Sequence, residues 1–245
     1  MAGAIVAAAG PSPARAGDDA DRTERIRRAL QAPPAPAGRR LAASGTAFSV
    51  ATEGRFLTNR HVIDGCAAVT VTPPGGSPAA ARIVAADRAR DLALLSAPAA
   101  PQPPLPLGPG DPSAGTSVAV VGYPSHGMVT IVPVLEQGTV MPNARPGDRF
   151  MLSADVRRGN SGGPVLDRAG TVVGVVYGAV DTPRVFAETG RVVRDVGAAI
   201  SAASVRAFLA AHGVAPPPVG DGAALSDDDL LEVARVSLAQ VRCWR

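Results

Sequence analysis

The sequence predicts an all-β protein built from two β units in series, and three observations support this fold class. Gly and Pro are abundant, at 27 and 24 residues, and they separate many short apolar runs. Aromatic residues make up only 3% of the 245 residues, so a core must consist mainly of Val, Leu, Ile and Ala. A proline-dense segment, residues 98–112, suits neither a helix nor a central strand and divides the apolar runs into two groups.

The first β unit, about 43–97, begins with small and apolar residues that alternate on both sides of Thr52-Glu53-Gly54. This pattern predicts a β-hairpin. Three further apolar runs are expected to be strands: 67–76, 80–87 and 91–97. Residues 98–112 then connect this unit to the next.

The second β unit, about 113–200, contains five further β-like runs. They lie at 116–124, 129–141, 149–156, 162–180 and 193–201. A terminal helix is expected from Ser201 to His212, because Val205, Phe208 and Leu209 have helical spacing and Gly213 can end the helix.

The residues after Gly213 are expected to form a linker and a short appended tail, 214–245. Ser226 and Asp229 have the spacing of a capping box, and three Asp residues suit the first turn of a helix. The segment that follows is ambiguous between a continued helix and a final strand ending at Cys243.

The N-terminal residues resemble an export signal of reduced strength. An apolar run at 4–9 precedes Ala14-Arg15-Ala16, which fits a signal peptidase site. We therefore expect a signal peptide over 1–16 and an exported protein, periplasmic or secreted. The alternative is an alanine-rich disordered tail, since no basic residue precedes the run. Residues 17–42 predict a short helix at Thr23–Leu30 followed by a linker.

Charge and hydropathy argue against two classes of partner. The formal net charge is +3, no Lys is present, and the arginines are scattered without interleaved aromatic residues. We therefore expect no nucleic-acid binding. No stretch reaches the ~18 consecutive apolar residues of a membrane-spanning helix, so no stable membrane insertion is expected.

The two cysteines, Cys66 and Cys243, lack the spacing of a metal site, and we expect no bound metal. In an oxidising compartment they can form one disulfide that closes a loop of roughly 180 residues, worth about 5 kcal/mol on the chain-entropy model. In a reducing compartment they would remain two thiols. The sequence alone leaves both alternatives open.

Ser161 stands in a Gly-x-Ser-x-Gly pattern, which serine hydrolases share with ordinary turns. A serine nucleophile needs a base, usually His, and a carboxylate that orients this base. An α/β-hydrolase would start a helix at the serine and place acid and base downstream, as Asp195 and His212. Gly-Gly-Pro and a hairpin follow Ser161 instead, so the order His, Asp, Ser remains.

His61 is the expected base, because it stands at the end of an apolar, β-like stretch that can fix its side chain. His126 lies in a turn without a nearby carboxylate, and His212 lies in the last turn of the terminal helix. Asp91 opens the apolar run 91–97 and is the expected acid. The other acidic residues considered between base and nucleophile are Asp64, Asp87 and Asp111.

These blocks resemble the chymotrypsin-fold, or trypsin-like, serine peptidases, nearest to the bacterial HtrA or Deg branch. The resemblance rests on six stretches in the family's order: "GTAFSV", "TNRHV" at His61, "DLALL" at Asp91, "VAVVGYP", "GNSGGPV" at Ser161 and "GTVVGVV". It covers about 45–209. HtrA-type proteins usually carry a C-terminal PDZ domain, and the residues after Gly213 are too few for one.

The resemblance implies two six-stranded antiparallel β-barrels, about 43–97 and 113–200, with the active site in the cleft between them. His61 and Asp91 would come from the first barrel and Ser161 from the second. The backbone N–H groups of Gly159 and Ser161 would form the oxyanion hole. Polypeptide substrates would add as a strand along three residues: Val176, Tyr177 and Gly178. No metal or organic cofactor is required, and the oligomeric state is left open.

Substrate preference has two interpretations. Asp155 lies where the resemblance places the floor of the specificity pocket in trypsin, which would favour Arg or Lys before the cut. HtrA-type proteins generally prefer small aliphatic residues, and Asp155 can instead face solvent or pair with Arg157. Two alternatives to an open, active peptidase also remain: a catalytically silent peptide-binding pseudoprotease, and a latent enzyme whose tail, Ala223 to Arg245, occupies the cleft.

Overall fold

The computed structural model describes residues 36–98, 100–125, 132–142, 147–219 and 222–245. The expected signal peptide, the helix at Thr23–Leu30 and His126 lie outside the described residues. In the described part of the chain, twelve strands form two closed six-stranded barrels whose neighbouring strands are antiparallel. The expected fold class is therefore confirmed.

The first barrel contains the five strands expected before the proline-rich connection and a sixth from the far end of the chain. Its strands are β1 (Leu41–Ala51), β2 (Arg55–Asn59), β3 (Ala68–Thr72), β4 (Ala79–Asp87), β5 (Leu92–Ser96) and β12 (Leu238–Trp244). β1 and β2 form the predicted hairpin, with Gly54 in the left-handed region at φ 69°. Branched and aromatic side chains fill the interior, among them Phe56, Val71, Leu95 and Val241.

Strand β12 corrects the expectation that residues 214–245 are a linker and an appended tail. It pairs with β1, where Gln240 lies opposite Thr46, and with β3, where Val241 lies opposite Val71. All residues of β12 are buried. Burial of both faces removes the alternation of apolar and polar residues that identifies a strand in a sequence.

The position of β12 also corrects the hypothesis that the tail occupies the cleft. A strand that is hydrogen-bonded along both of its edges inside a barrel cannot lie in the substrate site at the same time. The segment after Ser226, for which the sequence left helix and strand open, contains both. A helix ends at Arg235, and a strand begins at Leu238.

The second barrel follows the proline-rich connection. Its strands are β6 (Ser117–Gly122), β7 (Val134–Val140), β8 (Arg149–Ser153), β9 (Pro164–Leu166), β10 (Val172–Ala179) and β11 (Val196–Ser201). Aliphatic residues again fill the interior, among them Val118, Val120, Leu152 and Val176. Each such buried side chain contributes roughly 1.5–3 kcal/mol relative to an exposed one.

Three α-helices occur in the described part of the chain: α1 (Thr182–Thr189), α2 (Ala202–Ala211) and α3 (Asp227–Arg235). α2 and α3 begin where the sequence predicts, because the hydroxyls of Ser201 and Ser226 accept backbone N–H groups three residues later. α1 was not predicted. None of its residues is buried, and Asp181 and Gly190 cap its two ends.

A third core joins the two barrels. It combines Phe48 and Leu92 of the first barrel with Val121 and Ile200 of the second, and it includes residues of α2 and α3. All of these are buried almost completely from solvent. The shared core fixes the barrels against each other, which allows residues from both to form one site.

Candidate active site

His61 and Asp91 are in direct contact in the first barrel. His61 lies in a short 3-10 helix, Arg60–Ile63, that follows β2, and Asp91 directly precedes β5. Asp91 Oδ2 lies 2.6 Å from His61 Nδ1, and Asp91 Oδ1 accepts the backbone N–H of His61 at 2.9 Å. Because an ionised carboxylate only accepts hydrogen bonds, Nδ1 carries the proton and Nε2 of a neutral ring is free to accept another.

Asp91 is itself held by its surroundings. Its backbone carbonyl accepts hydrogen bonds from the N–H of Arg60 and from Asn59 Nδ2, both at 3.1 Å. Its φ of 58° lies in the left-handed region, which Asp tolerates better than most residues. The Asp91 residue is only 7% exposed, whereas the His61 side chain is 47% exposed. The carboxylate is therefore buried behind an imidazole that solvent and substrate can reach.

The other acidic candidates have different partners. Asp64 pairs with Arg60 at 2.8 Å, and Asp111 accepts the backbone N–H of Ala203 at 3.3 Å. Asp87 binds the backbone N–H and the guanidinium of Arg90, which together hold the pKa of its carboxyl below the usual range. Among the described residues, Asp91 is therefore the only one of these four aspartates that contacts His61.

Ser161 lies in a turn that only glycines permit. Gly159 has φ 95° and Gly162 has φ 84°, and the N–H of Asn160 donates to the carbonyl of Arg157 at 3.0 Å. A Cβ on Gly159 would lie 2.1 Å from the Tyr123 carbonyl oxygen. Both the conformation and the close approach of the backbone therefore require glycine at 159.

The peptide between Arg158 and Gly159 has a defined orientation. The carbonyl of Arg158 accepts the N–H of Ser125 at 2.6 Å. In a trans peptide the N–H points away from the carbonyl, so the N–H of Gly159 is directed to the opposite side. Within the described part of the chain, the N–H groups of Gly159 and Ser161 make no backbone hydrogen bond, which leaves both available as donors.

Tyr177 joins the serine to the histidine. The Ser161 hydroxyl donates to the Tyr177 carbonyl at 3.5 Å, a long hydrogen bond, and no hydrogen bond joins Ser161 to His61. The Tyr177 ring packs edge-on against the imidazole of His61, with centroids 6.0 Å apart, and the guanidinium of Arg149 lies over the ring at 3.9 Å. The Ser161 hydroxyl and the His61 imidazole therefore both contact Tyr177, the first at its backbone carbonyl and the second at its ring.

Strand β10 presents a partly free edge beside Ser161. β9 pairs with β10 only from Val172 to Val175, whereas β11 continues to Ala179. The register with β11 shifts between Val176 and Gly178, which makes a bulge at Tyr177. Bulges of this kind redirect backbone groups next to functional sites. Of the three residues expected to bind substrate, Val176 already has both backbone groups engaged, because its N–H donates to the Gly163 carbonyl at 2.9 Å and its carbonyl accepts the Gly162 N–H at 3.0 Å. Tyr177 and Gly178 follow it at the end of β10 nearest to Ser161.

Asp155 is engaged by Arg157. Arg157 Nε donates to Asp155 Oδ2 at 2.8 Å, and Arg157 Nη2 binds the same oxygen. This hydrogen bond raises the pKa of the Arg157 guanidinium. Asp155 borders an open cavity of about 330 Å³, whose other lining residues include Val156, Ala179, Arg194 and Asp195. The Asp155 carboxylate at this cavity is therefore paired with an adjacent cation, Arg157.

Cys66 and Cys243 form a disulfide, with Cα atoms 5.2 Å apart and a sequence separation of 177 residues. Cys66 follows the 3-10 helix of His61, and Cys243 belongs to β12. Two hydrogen bonds reinforce this link: Ala67 N–H donates to the Trp244 carbonyl at 2.8 Å, and Arg245 Nη2 donates to the Asp64 carbonyl at 2.9 Å. The segment that carries His61 is thus fastened to the last strand.

Among the described residues, no group of three or more His, Cys, Asp or Glu side chains could hold a metal ion. None of the described helices has the length and apolar character needed to span a bilayer.

Sequence reasoning missed several residues that build this site. The side chains of Thr46 and Asn59 donate to the carbonyls of Gly159 and Asp91. The backbone N–H of Ser125 donates to the Arg158 carbonyl. Asn59 stands two residues before His61, and this proximity was the only signal available. Arg149 lies far from Tyr177 in sequence, and nothing in the pattern pairs the two residues.

Known proteins resemble this chain in sequence. The model of the trypsin-like peptidase domain matches residues 45–175. The serine protease Rv3671c of Mycobacterium tuberculosis is 36% identical over 191 residues, which are 74% of this chain and 45% of that protein. A probable periplasmic serine endoprotease DegP-like of Brucella suis is 34% identical over 148 residues, 58% of this chain and 29% of that protein. The chain thus spans less than half the length of these relatives.

Solved structures resemble the fold as well. The active form of the Rv3671c protease superimposes with a TM-score of 0.58 at 31% identity, covering 77% of this chain and 84% of that one. The HtrA-type protease AlgW, solved with a decapeptide, gives a TM-score of 0.55 at 25% identity and covers 69% of this chain and 52% of that one. The match to the domain model covers more than half of the sequence. The chain therefore belongs to the trypsin-like peptidase family, with relatives of the HtrA type.

Proposed function

We propose that this protein is a serine endopeptidase that hydrolyses peptide bonds with Ser161, His61 and Asp91. The observation that carries the proposal is the double contact of Asp91 with His61, beside the same Tyr177 that accepts the Ser161 hydroxyl. Family membership supports this chemistry, since relatives along this sequence are named serine proteases.

Acylation begins when the Ser161 hydroxyl leaves the Tyr177 carbonyl and turns toward His61, a side-chain rotation on the ps–ns timescale. Ser161 Oγ then attacks the carbonyl carbon of the substrate, and His61 Nε2 takes the hydroxyl proton. Asp91 keeps the proton on Nδ1 and stabilises the imidazolium that forms. The N–H groups of Gly159 and Ser161 bind the oxyanion of the tetrahedral intermediate.

The second half of the reaction reverses these roles. His61 gives its proton to the leaving amine, and the first product departs while the acyl group remains on Ser161 Oγ. A water molecule gives a proton to His61 Nε2 and attacks the ester carbon. Collapse of this second intermediate returns the proton to Ser161 and releases the carboxylic acid product.

An extended polypeptide is the proposed substrate. The N–H and the carbonyl of Val176 are bound by Gly163 and Gly162, but beyond Val176 neither β9 nor this turn pairs with the edge of β10 among the described residues, so the backbone groups there can pair with an added strand. In that position the Tyr177 carbonyl lies next to Ser161 and can accept a substrate N–H close to the bond that is cut.

We also propose that the protein acts in an oxidising, exported compartment. The DegP-like relatives are named as periplasmic. The disulfide is consistent with the same location, because disulfides persist outside the reducing cytosol.

Labelling by a fluorophosphonate probe tests the proposal. Wild-type protein should be labelled and should cleave a peptide library, and Ser161→Ala should do neither while it remains folded by circular dichroism. Thr70→Ser, a conservative change on the outside of the described site, is the matched control. Absence of both labelling and cleavage in folded wild-type protein would support the pseudoprotease alternative, which no contact in the site favours.

A further inference from the structure

Thr46 links the first barrel to the turn that carries Ser161. It lies in β1 and is completely buried. Its hydroxyl donates to the Gly159 carbonyl at 2.7 Å, and its N–H donates to the Ser161 carbonyl at 2.9 Å. The same hydroxyl oxygen accepts the N–H of Tyr123 at 3.0 Å. One threonine thus binds both residues whose N–H groups are proposed to form the oxyanion hole, although it belongs to the other barrel.

We propose that the Thr46 hydroxyl is a positioning group that holds the oxyanion hole in its donor conformation. This inference rests on the proposed function, because it concerns the transition state of the same reaction. Thr46 touches no substrate and no reacting atom. It acts through the backbone of Gly159 and Tyr123.

Glycine at 159 creates the need for such a group. Glycine adopts many backbone conformations at similar energy, so the direction of the Gly159 N–H is not set by its own residue. The structure fixes the two carbonyls on either side of its Cα. The Arg158 carbonyl is bound by the Ser125 N–H, and the Gly159 carbonyl is bound by Thr46 Oγ1. Together these bonds define φ and ψ of Gly159 and hence the direction of its N–H.

The Thr46 hydroxyl acts on both of these bonds. As a donor it holds the Gly159 carbonyl, and as an acceptor it holds Tyr123, two residues before the Ser125 amide that binds Arg158. A hydroxyl can donate and accept at once, whereas a methyl group of the same size can do neither. Loss of the hydroxyl would leave a buried carbonyl and a buried N–H unpaired, which destabilises this turn arrangement.

Thr46 is firmly anchored in the first barrel. Its carbonyl accepts the Thr58 hydroxyl at 2.7 Å, and its strand is paired with β12 at Gln240. The barrel that carries the base and the acid therefore also determines the geometry of the oxyanion hole in the second barrel. Hydrogen bonds from β1 thus add to the shared core in fixing the turn of Ser161 against the first barrel.

Three variants test this inference: Thr46→Val, which keeps the shape and removes the hydroxyl, Thr46→Ser, which keeps the hydroxyl, and Ser49→Ala as the control. Ser49 lies on the same strand, is equally buried and binds the Gln102 carbonyl at 2.9 Å, away from the turn. The measurements are kcat and KM for one peptide substrate, normalised by active-site titration, and the affinity for a peptide aldehyde relative to the cleaved peptide product.

We expect Thr46→Val to lower kcat about 10- to 100-fold with KM within about 2-fold, a smaller loss than removal of a whole donor. Aldehyde affinity should fall in parallel with kcat, because the aldehyde forms an oxyanion, while product affinity should not change. Thr46→Ser should keep kcat within about 3-fold of wild type. Ser49→Ala should lower the thermal midpoint without a change in kcat per titrated site.

An unchanged kcat and aldehyde affinity in folded Thr46→Val would overturn the inference. If Thr46→Val does not fold, Thr46→Cys, whose thiol is a weaker donor, is measured in the same way, and a wild-type kcat in that variant overturns it equally. These outcomes are distinct from failure of the proposed function, which would appear as inactive, unlabelled wild-type protein.

Discussion

Asp91 binds His61 at two points, because Oδ2 contacts the ring at Nδ1 at 2.6 Å while Oδ1 accepts the backbone N–H at 2.9 Å. One carboxylate thereby fixes both the plane of the imidazole and the backbone from which it extends. Asp91 does so from a left-handed conformation at φ 58°, which costs free energy that the rest of the fold must supply. Strained backbone conformations of this kind are common at functional sites. Asp91 is therefore the first residue to substitute.

Asp91→Asn should lower kcat about 10⁴-fold at neutral pH. Asn fits the left-handed backbone and the same space, but its amide can present an N–H to His61 and so favour the wrong tautomer. Steady-state kinetics on titrated protein would measure the loss. Asp87→Asn is the control, since Asp87 pairs with Arg90 outside the site, and it should keep full activity. A kcat for Asp91→Asn within tenfold of wild type would contradict the role of this residue.

Gly159→Ala should abolish measurable turnover, because the added Cβ would meet the Tyr123 carbonyl at 2.1 Å and force the turn to move. Gly115→Ala is a matched control. Gly115 has a similar φ of 82°, but no atom lies within 4 Å of its added Cβ. The control should therefore show only the left-handed penalty of about 1–2 kcal/mol in unfolding free energy, with kcat unchanged. Equal activity of the two variants would show that the 159 turn does not set the oxyanion geometry.

Arg157→Ala should change substrate preference toward Lys or Arg before the cleaved bond. In the wild type, Arg157 neutralises Asp155, so this carboxylate offers little to a basic substrate side chain. Removal of the guanidinium exposes the charge at the edge of the neighbouring cavity. Cleavage profiling with a peptide library would show the ratio of basic to small aliphatic residues at this position. Arg157→Lys keeps the cation and should keep the wild-type profile; an unchanged profile in Arg157→Ala would mean that Asp155 has no contact with the substrate side chain.

Replacement of both cysteines by serine should lower the free energy of unfolding by about 2–5 kcal/mol, because the disulfide closes a very long loop. The loop separation is 177 residues. Urea unfolding, followed by tryptophan fluorescence of Trp244 in β12, would measure the difference. A reductant should destabilise the wild type by a similar amount and leave the double variant unaffected. Equal stability of oxidised and reduced wild type would contradict this prediction.

The sequence predicted those parts of the fold that depend on local patterns. The β1–β2 hairpin, the caps of α2 and α3, and the aliphatic strands of both barrels all followed from spacing and turn residues. The contact of Asp91 with His61 was also expected, since a strand start holds its first side chain rigidly. In each case the information lay within a few residues of the element.

The parts that were missed depend on partners far away in the chain. β12 is buried on both faces and meets β1 across nearly the whole sequence, so no local alternation identifies it. The hydrogen bond of Thr46 to Gly159 joins residues 113 positions apart, and its acceptor is a backbone carbonyl that has no signature in a sequence. α1 is only eight residues long and buries nothing, so it offers a short signal with no core contact to support it.

The insertion of β12 between β1 and β3 has a consequence for how the protein is made. Synthesis proceeds from the N-terminus, so the second barrel leaves the ribosome before the strand that completes the first. Until β12 arrives, β1 and β3 present unpaired edges, and the segment that carries His61 lacks the strand to which it is fastened. His61 and Asp91 therefore depend for the completion of their barrel on a strand that is synthesised after the whole second barrel.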